Sequence, residues 1–317
     1  MVKNTNKKIK SSDGVLTPKI ILICILTCVL ILGIVISLVF FTSTDTSSTD
    51  TSSTDTMIDY IEDLSKTHTY FVSQKNPNFD FYLTENDYIR HQNGFTTPLD
   101  GVKINFKDSM TDDYFEKLKS NHNSVVIFPI FTSMAYNPDG FYSYYAGQCD
   151  TSCIIDLSMS QPKFDYNSGG FTAQILFELG YEFLTDIDVD KNPQLLENYE
   201  TVILLHNEYV TKSQFDSISS HSNLIFLHPN ALYAEIDVNY DTNTITLIRG
   251  HNYPSSEIAN GFDYAIEEKF HEYEYDRDCL NWKFVEIENG YHLNCYPDAI
   301  ITDNLEILIK LNELLNK

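Results

Sequence analysis

Three histidines in this chain each close a strand-like run. His206 follows the block TVILL at 201–205, His228 follows LIFL at 224–227, and His251 follows a run of alternating residues that ends in Arg249-Gly250. Glu208 and Tyr209 stand just beyond His206. Imidazole is the side chain suited to moving protons near neutrality, and in its neutral form it binds divalent metals. A carboxylate two residues away adds an anionic oxygen. His206, Glu208, His228 and His251 are therefore a candidate set for a divalent metal with one open position, the only cofactor the sequence suggests. His206, Glu208, Tyr209 and His228, joined by Tyr136 and Tyr142, are equally a candidate polar ligand site. Histidines at strand ends also serve simply to bond loop backbone, and that third reading stays open. Whether His251 reaches the others depends on where its hairpin lies, which the sequence does not fix.

Other chemical signatures stop short. His271-Glu272 begins a zinc-protease pattern but no second histidine follows at the required spacing. Gly-x-Ser-x-Gly, the phosphate-binding loop and Gly-x-Gly-x-x-Gly are absent. Asp186, Asp188 and Asp190 alternate as calcium-loop acids do, yet the glycine and distal glutamate of such a loop are missing.

The elements that must position these residues are short. The runs 201–205 and 224–227 are β-branched and aliphatic without alternation, as in strands covered on both faces. Between them, 211–220 reads as a helix capped by Thr211 with Phe215 and Ile218 on one face. The default connection is a parallel crossover. An earlier strand is expected over 124–131, with Pro129 marking the end of pairing or an edge. The stretch 132–168 reads as a long loop that crowds Tyr136, Phe141, Tyr142, Tyr144 and Tyr145 around an Asn-Pro-Asp-Gly turn. Its tyrosines either stack on a ligand or form a flap over core. Then come a helix at 168–179 stopped by Gly180 and a strand at 181–189. Hairpins are expected at 235–240/244–248 and 283–287/291–295, and a closing helix at 304–315. Short helices are expected at 57–66 and 112–120, while 70–105 shows no clear period.

Residues 1–19 carry five lysines and one aspartate, and 20–41 are uncharged and mostly Ile, Leu and Val. At ~1.5 Å per residue the second stretch matches a hydrocarbon core of ~30 Å. The expectation is an uncleaved signal anchor in the lipid bilayer. It places the protein in the cell membrane as a single-pass chain, N-terminus cytoplasmic and C-terminal domain extracellular. Residues 42–56 repeat Ser, Thr and Asp with nothing apolar to bury and read as a stalk. Residues 57–317 form the folded part, with 16 basic and 41 acidic residues, a net charge of −25. Such a surface repels nucleic acid. Cys149, Cys153, Cys279 and Cys295 are an even set, for which an oxidising compartment favours disulfides. Of three connectivities, pairing of neighbours is the simplest, because the Glu288-Asn289-Gly290 turn returns Cys295 towards Cys279.

The order strand, loop, helix ending in Leu-Gly-Tyr, strand, Leu-Leu-Glu-Asn-Tyr-Glu-Thr-Val-Ile-Leu-Leu, helix, strand resembles class I glutamine amidotransferase-like domains. That group includes ThuA-like proteins and the C-terminal domain of N,N-dimethylformamidase. His206-Asn207-Glu208-Tyr209 is similar to the His-x-Glu-Tyr segment of the dimethylformamidase-type members, with Val210 where they tend to carry Trp. The resemblance covers roughly 124–236. It implies an α/β fold with a flavodoxin-like doubly wound parallel sheet, here with antiparallel hairpin additions and the 20–41 helix ahead of it. The ligand crevice would lie at the strand carboxyl ends. The turn that holds the nucleophilic cysteine in catalytic members reads Leu227-His228-Pro229-Asn230-Ala231, so glutaminase chemistry is not implied. Two function classes remain: an extracytoplasmic module binding a small molecule, glycan or surface protein, and a metal-dependent amide or ester hydrolase using the His/Glu rim.

Overall fold

The structure, a computed structural model, describes residues 53–67, 70–72, 76–83, 88–90, 96–98, 102–110, 112–160, 164, 166–263 and 279–317. Its main sheet is built from β6 (Ser124–Phe128), β8 (Glu182–Thr185), β9 (Thr201–Leu204), β11 (Leu224–Phe226), β14 (Phe284–Ile287) and β15 (Gly290–Leu293). The spatial order is β14-β15-β11-β9-β6-β8; every pair is parallel except the edge pair β14-β15. Strand order reverses between β6 and β9, because the strand that follows β6 in the chain lies on its other side. In open α/β sheets such a reversal opens a crevice at the strand carboxyl ends.

The absence of alternation in the strand sequences has a direct cause. Val126 and Phe128 of β6, Ile203 of β9 and Ile225 of β11 pack into one core. Their neighbours Val125, Ile127, Val202, Leu204, Leu224 and Phe226 pack into a second core on the opposite face. Helices α5 (Gly170–Glu178) and α8 (Glu306–Leu315) supply Ala173, Ile175, Leu176, Leu308 and Leu311 to the first. Helices α6 (Asp186–Lys191) and α7 (Lys212–Ser219) supply Val189, Phe215 and Ile218 to the second. The crossover through α7 follows the expected lines: Thr211 caps the helix in a reciprocal box with Gln214, and β9 and β11 are parallel neighbours.

A second sheet runs beside the first, in the order β10 (Tyr209–Thr211), β12 (Ala234–Asn239), β13 (Thr244–Arg249) and β7 (Leu157–Ser158). The chain therefore leaves the main sheet after β9 and enters the second sheet at β10, with only residues 205–208 between. The expected hairpin is β12-β13, and β10 pairs in parallel along its outer side.

Several elements differ from expectation. The strand at 181–189 stops at Thr185, because Thr185 and Asp188 form a capping box that starts α6. Asp186, Asp188 and Asp190 thus lie on a helix, not in a calcium-loop conformation. The stretch 132–168 is structured: Pro129 ends β6 and leads into α3 (Ile130–Ala135), followed by α4 (Phe141–Tyr145), a 3-10 turn at Thr151–Ile154 and β7. Within 70–106, β3 (Tyr88–Arg90) pairs with β4 (Thr96–Pro98), and β1 (Tyr70–Val72), β2 (Phe79–Leu83) and β5 (Lys103–Phe106) form an antiparallel sheet. Gln174 and Glu178 of α5 bond its edge backbone at Ile104, Val102 and Phe106. The first described helix, α1 (Ser53–Thr67), begins inside the Ser/Thr/Asp repeat, and α2 (Asp112–Leu118) precedes β6.

Cysteines 149 and 153 are bonded, as are 279 and 295, with Cα separations of 6.4 and 5.3 Å. The membrane placement is corrected. Among the described residues no helix is long and apolar enough to cross a membrane, so a single-pass protein with an extracellular domain is not supported. The run at 20–41 on which that expectation rested lies outside the described residues, as do the 1–19 tail and His271-Glu272.

Candidate functional site

The site forms where the strand order reverses. Glu208 occupies the joint between β9 and β10, and its backbone N–H and that of Tyr209 both donate to the hydroxyl of Thr132 on α3, at 3.0 and 3.3 Å. Its carboxylate is buried, at 1% exposure. Oε2 accepts a hydrogen bond from the Tyr136 hydroxyl at 2.8 Å and lies 3.0 Å from His206 Nε2. Oε1 lies 2.5 Å from His251 Nε2. Both imidazoles are at ion-pair distance with their N–H directions off the ideal line. Burial opposes the charged form of Glu208, but the two histidines overcome it and hold the carboxyl down at about 2.

Each partner arrives from a separate element. His206 is fixed from behind: its Nδ1 meets the Asn167 carbonyl and lies 2.6 Å from the Tyr296 hydroxyl, which donates to the same carbonyl at 2.9 Å. His228, at the end of β11, stacks flat on His206 with ring centroids 5.3 Å apart and meets the Tyr296 ring edge-on at 4.3 Å. Burial pushes the His228 imidazole well below its ordinary range, and His206 adds to the effect, so His228 is neutral. Gly169 has a left-handed backbone (φ +68°), and a Cβ there would come within 3.0 Å of His228 Nε2. Asp298 accepts from the Phe171 and Thr172 N–H groups at the start of α5. Burial outweighs those bonds and raises its carboxyl to about 7.

His251 comes from the second sheet. It follows β13 and sits among three tyrosine rings, Tyr145, Tyr209 and Tyr233, with centroids 5.0, 5.3 and 4.7 Å away. Tyr136 stacks on Tyr142 at 4.8 Å. Tyr142 and Tyr145 reach the surface, whereas Tyr209 is fully buried. The Tyr209 hydroxyl has no hydrogen-bond partner. Its ring is held by Phe141 at 5.4 Å and by His251. Burial, then the charge of Glu208, raises its phenol well above the ordinary range.

The structure thus brings His206, Glu208, Tyr209, His228, His251, Tyr136 and Tyr142 into one cluster. At the strand carboxyl ends, where a ligand crevice is expected, the histidines are not exposed, because α3, α4 and the second sheet cover them. His206 and His228 are 2% and 0% exposed. His206 and His251 bracket Glu208, while His228 packs against the His206 ring. Among the described residues no group of three or more His, Cys, Asp or Glu side chains is placed to hold a metal ion. Thr132, Asn167, Gly169, Tyr233, Tyr296 and Asp298 were not singled out from the sequence. Thr132 and Asn167 act through hydroxyl and backbone atoms that leave no compositional trace, and Tyr296 comes after a segment outside the resemblance.

Residues 107–276 match the family described as N,N-dimethylformamidase beta subunit-like, C-terminal. That range takes in β6 to β13 and with them Tyr136, Glu208 and His251. No curated protein matches the chain.

Proposed function

The chain belongs to the N,N-dimethylformamidase beta subunit-like C-terminal family, and from that premise we propose that the Glu208 cluster is a site for small neutral amides at which the amide bond is hydrolysed. The observation that carries the reading is the buried Glu208 carboxylate, bracketed by two imidazoles and a tyrosine hydroxyl. A carboxyl held near 2 is a weak base at neutral pH, so Glu208 acts as a fixed anion that orients His206 and His251. The imidazoles are the groups suited to carry protons between water and the leaving nitrogen. A buried anion on a chain of net charge −24 also disfavours anionic substrates.

The finer fold reading supports this placement. We read the order of the parallel strands, β15-β11-β9-β6-β8, as that of a flavodoxin-like doubly wound sheet with the cluster at its switch point. We read the domain as glutamine amidotransferase-like in architecture with the nucleophile position empty of cysteine, since residues 227–231 are Leu-His-Pro-Asn-Ala.

The test is amine release from N,N-dimethylformamide by the purified full chain, with Glu208→Gln alongside and metal content measured on the same sample. Release by the wild type and its loss in the variant support the reading. A stoichiometric divalent ion would recast Glu208 and its histidines as ligands in a metal-dependent hydrolase. Binding of the amide without turnover would leave a ligand-binding module. Neither binding nor turnover would end the amide reading.

A further inference from the structure

Residues 250–261 form a loop that is pinned at both ends and lightly held between them. At its base Arg249 Nη1 donates to the Gly261 carbonyl at 2.9 Å, and the Gly261 N–H donates to the Tyr233 carbonyl at 2.7 Å. Both end glycines press on β12. A Cβ on Gly250 would come within 3.0 Å of the Ala234 Cβ, and one on Gly261 within 2.6 Å of the Glu235 nitrogen. From His251 to Asn260 no residue is buried. The backbone bonds there close on the loop itself: His251 N–H to Ala259, Asn252 N–H to Ile258, and a reciprocal pair between Gly250 and Tyr253. Such a segment, with its ends together and its own internal bonds, is an Ω-like surface loop.

His251 and Tyr253 hold this loop to the rest of the protein. His251 Nε2 lies 2.5 Å from Glu208 Oε1, with its ring among Tyr145, Tyr209 and Tyr233. Tyr253 meets the Tyr144 ring edge-on at 6.1 Å. His251 and Asn252 are both left-handed (φ +50° and +66°), a conformation that costs a residue with a Cβ free energy and persists where its surroundings enforce it. The pair with Glu208 is one such enforcement. Glu208 and Tyr209 are closed from solvent, whereas His251, which touches both, is 12% exposed.

We propose that residues 250–261 are the door to the Glu208 site: the loop turns on its ends at Gly250 and Gly261, His251 is its latch, and breaking the His251–Glu208 pair opens the way from solvent to Glu208 and Tyr209. The inference holds for any ligand of the site and does not rest on the amide reading. With the pair restored, the site is sealed from bulk water, which is the task of such loops in enzymes.

The experiment measures nitration of tyrosines by tetranitromethane, mapped by peptide mass spectrometry, on the full-length chain without ligand. Two variants loosen the door. His251→Phe keeps a ring among the tyrosines and removes the ion pair, and Tyr253→Ala leaves the Glu208 cluster untouched. Nitration of Tyr209 should rise about 10-fold or more in His251→Phe, the worth of one charge-assisted bond, and should also rise in Tyr253→Ala. Exposed Tyr142 should react at its wild-type rate in both. If His251→Phe fails to fold, Tyr253→Ala decides alone. Tyr209 nitration at the wild-type rate in the folded variants overturns the door. So does an equal rise in Tyr142→Ala, which would place the way in at α4. Faster hydrogen exchange throughout β9 and β12 in the variants overturns it too, because His251 and Tyr253 would then be holding the whole domain.

Discussion

The hydroxyl of Tyr136 donates to Glu208 Oε2 across 2.8 Å, and that single bond joins the segments leaving β6 and β9 where the strand order reverses. Tyr136 follows α3 and Glu208 precedes β10, so the bond also ties the helix behind the site to the second sheet. The carboxylate it meets is charged and buried. Its neighbours are therefore part of the stability of the domain as well as of the proposed site.

Glu208→Ala should be strongly destabilising, by about 3–5 kcal/mol, because it leaves His206 and His251 beside an empty buried position. Glu208→Gln, which keeps the shape, should cost less. The carboxyl sits near 2 in the fold against an ordinary value of 4.5, so its contribution is present above 4.5 and is lost as pH falls towards 2. Chemical denaturation at pH 7 and pH 3 would show the wild type and Glu208→Gln converging at the lower pH. Parallel curves at both would contradict it.

Glu178 should have the opposite sign. Burial raises its carboxyl from 4.5 to about 7, against the Phe106 N–H that it accepts. The folded state then binds the proton more tightly than the unfolded chain, and stability falls as pH rises from about 4.5 to about 7. Glu178→Gln keeps an acceptor for Phe106 and removes the titration. It should gain about 1 kcal/mol at pH 8 and nothing at pH 4, read from urea midpoints.

Much of this was legible along the chain and the rest was not, for a physical reason. His206 and His228 could be placed together because TVILL and LIFL have the composition of strands covered on both faces, and the linking helix is short and well capped. The cysteine pairs followed from a turn at Glu288–Gly290 and from simple adjacency. The arrival of His251 was beyond reach, because it depends on β10 lying in register with β12, a pairing set by tertiary packing. Exposure was misjudged for the same cause: nothing local in 132–168 announces that α3 and α4 close over the strand ends.

The two disulfides should differ in weight. The Cys279–Cys295 bond closes a loop with a separation of 16 and the Cys149–Cys153 bond one of 4. Loop entropy gives about 3 and about 2 kcal/mol respectively. Cys295 also precedes Tyr296, whose hydroxyl meets His206. Replacing Cys279 and Cys295 by Ser should lower both Tm and amide turnover. The same change at Cys149 and Cys153 should lower Tm alone.

Thr132→Val keeps the volume of the side chain and removes the acceptor for two buried N–H groups, those of Glu208 and Tyr209. The expected cost is about 2 kcal/mol, with turnover reduced because the Glu208 backbone loses its anchor. Thr132→Ser should retain most of both. Equal stability of the Val and Ser variants would show that the hydroxyl does not hold this joint.

The site draws Tyr136, Glu208, His251 and Tyr296 from four stretches of chain, and the last two meet Glu208 and His206 only when β13 and the segment after β15 have docked. Closing such distant loops is slow compared with forming α7 or pairing β9 with β11. During refolding, helical signal should therefore recover before the ability to bind an amide does. In native-state hydrogen exchange, the amides of residues 250–261 should open at lower free energy than those of β9. Binding competence then reports the completion of folding, and a chain with most of its secondary structure intact can already be inactive.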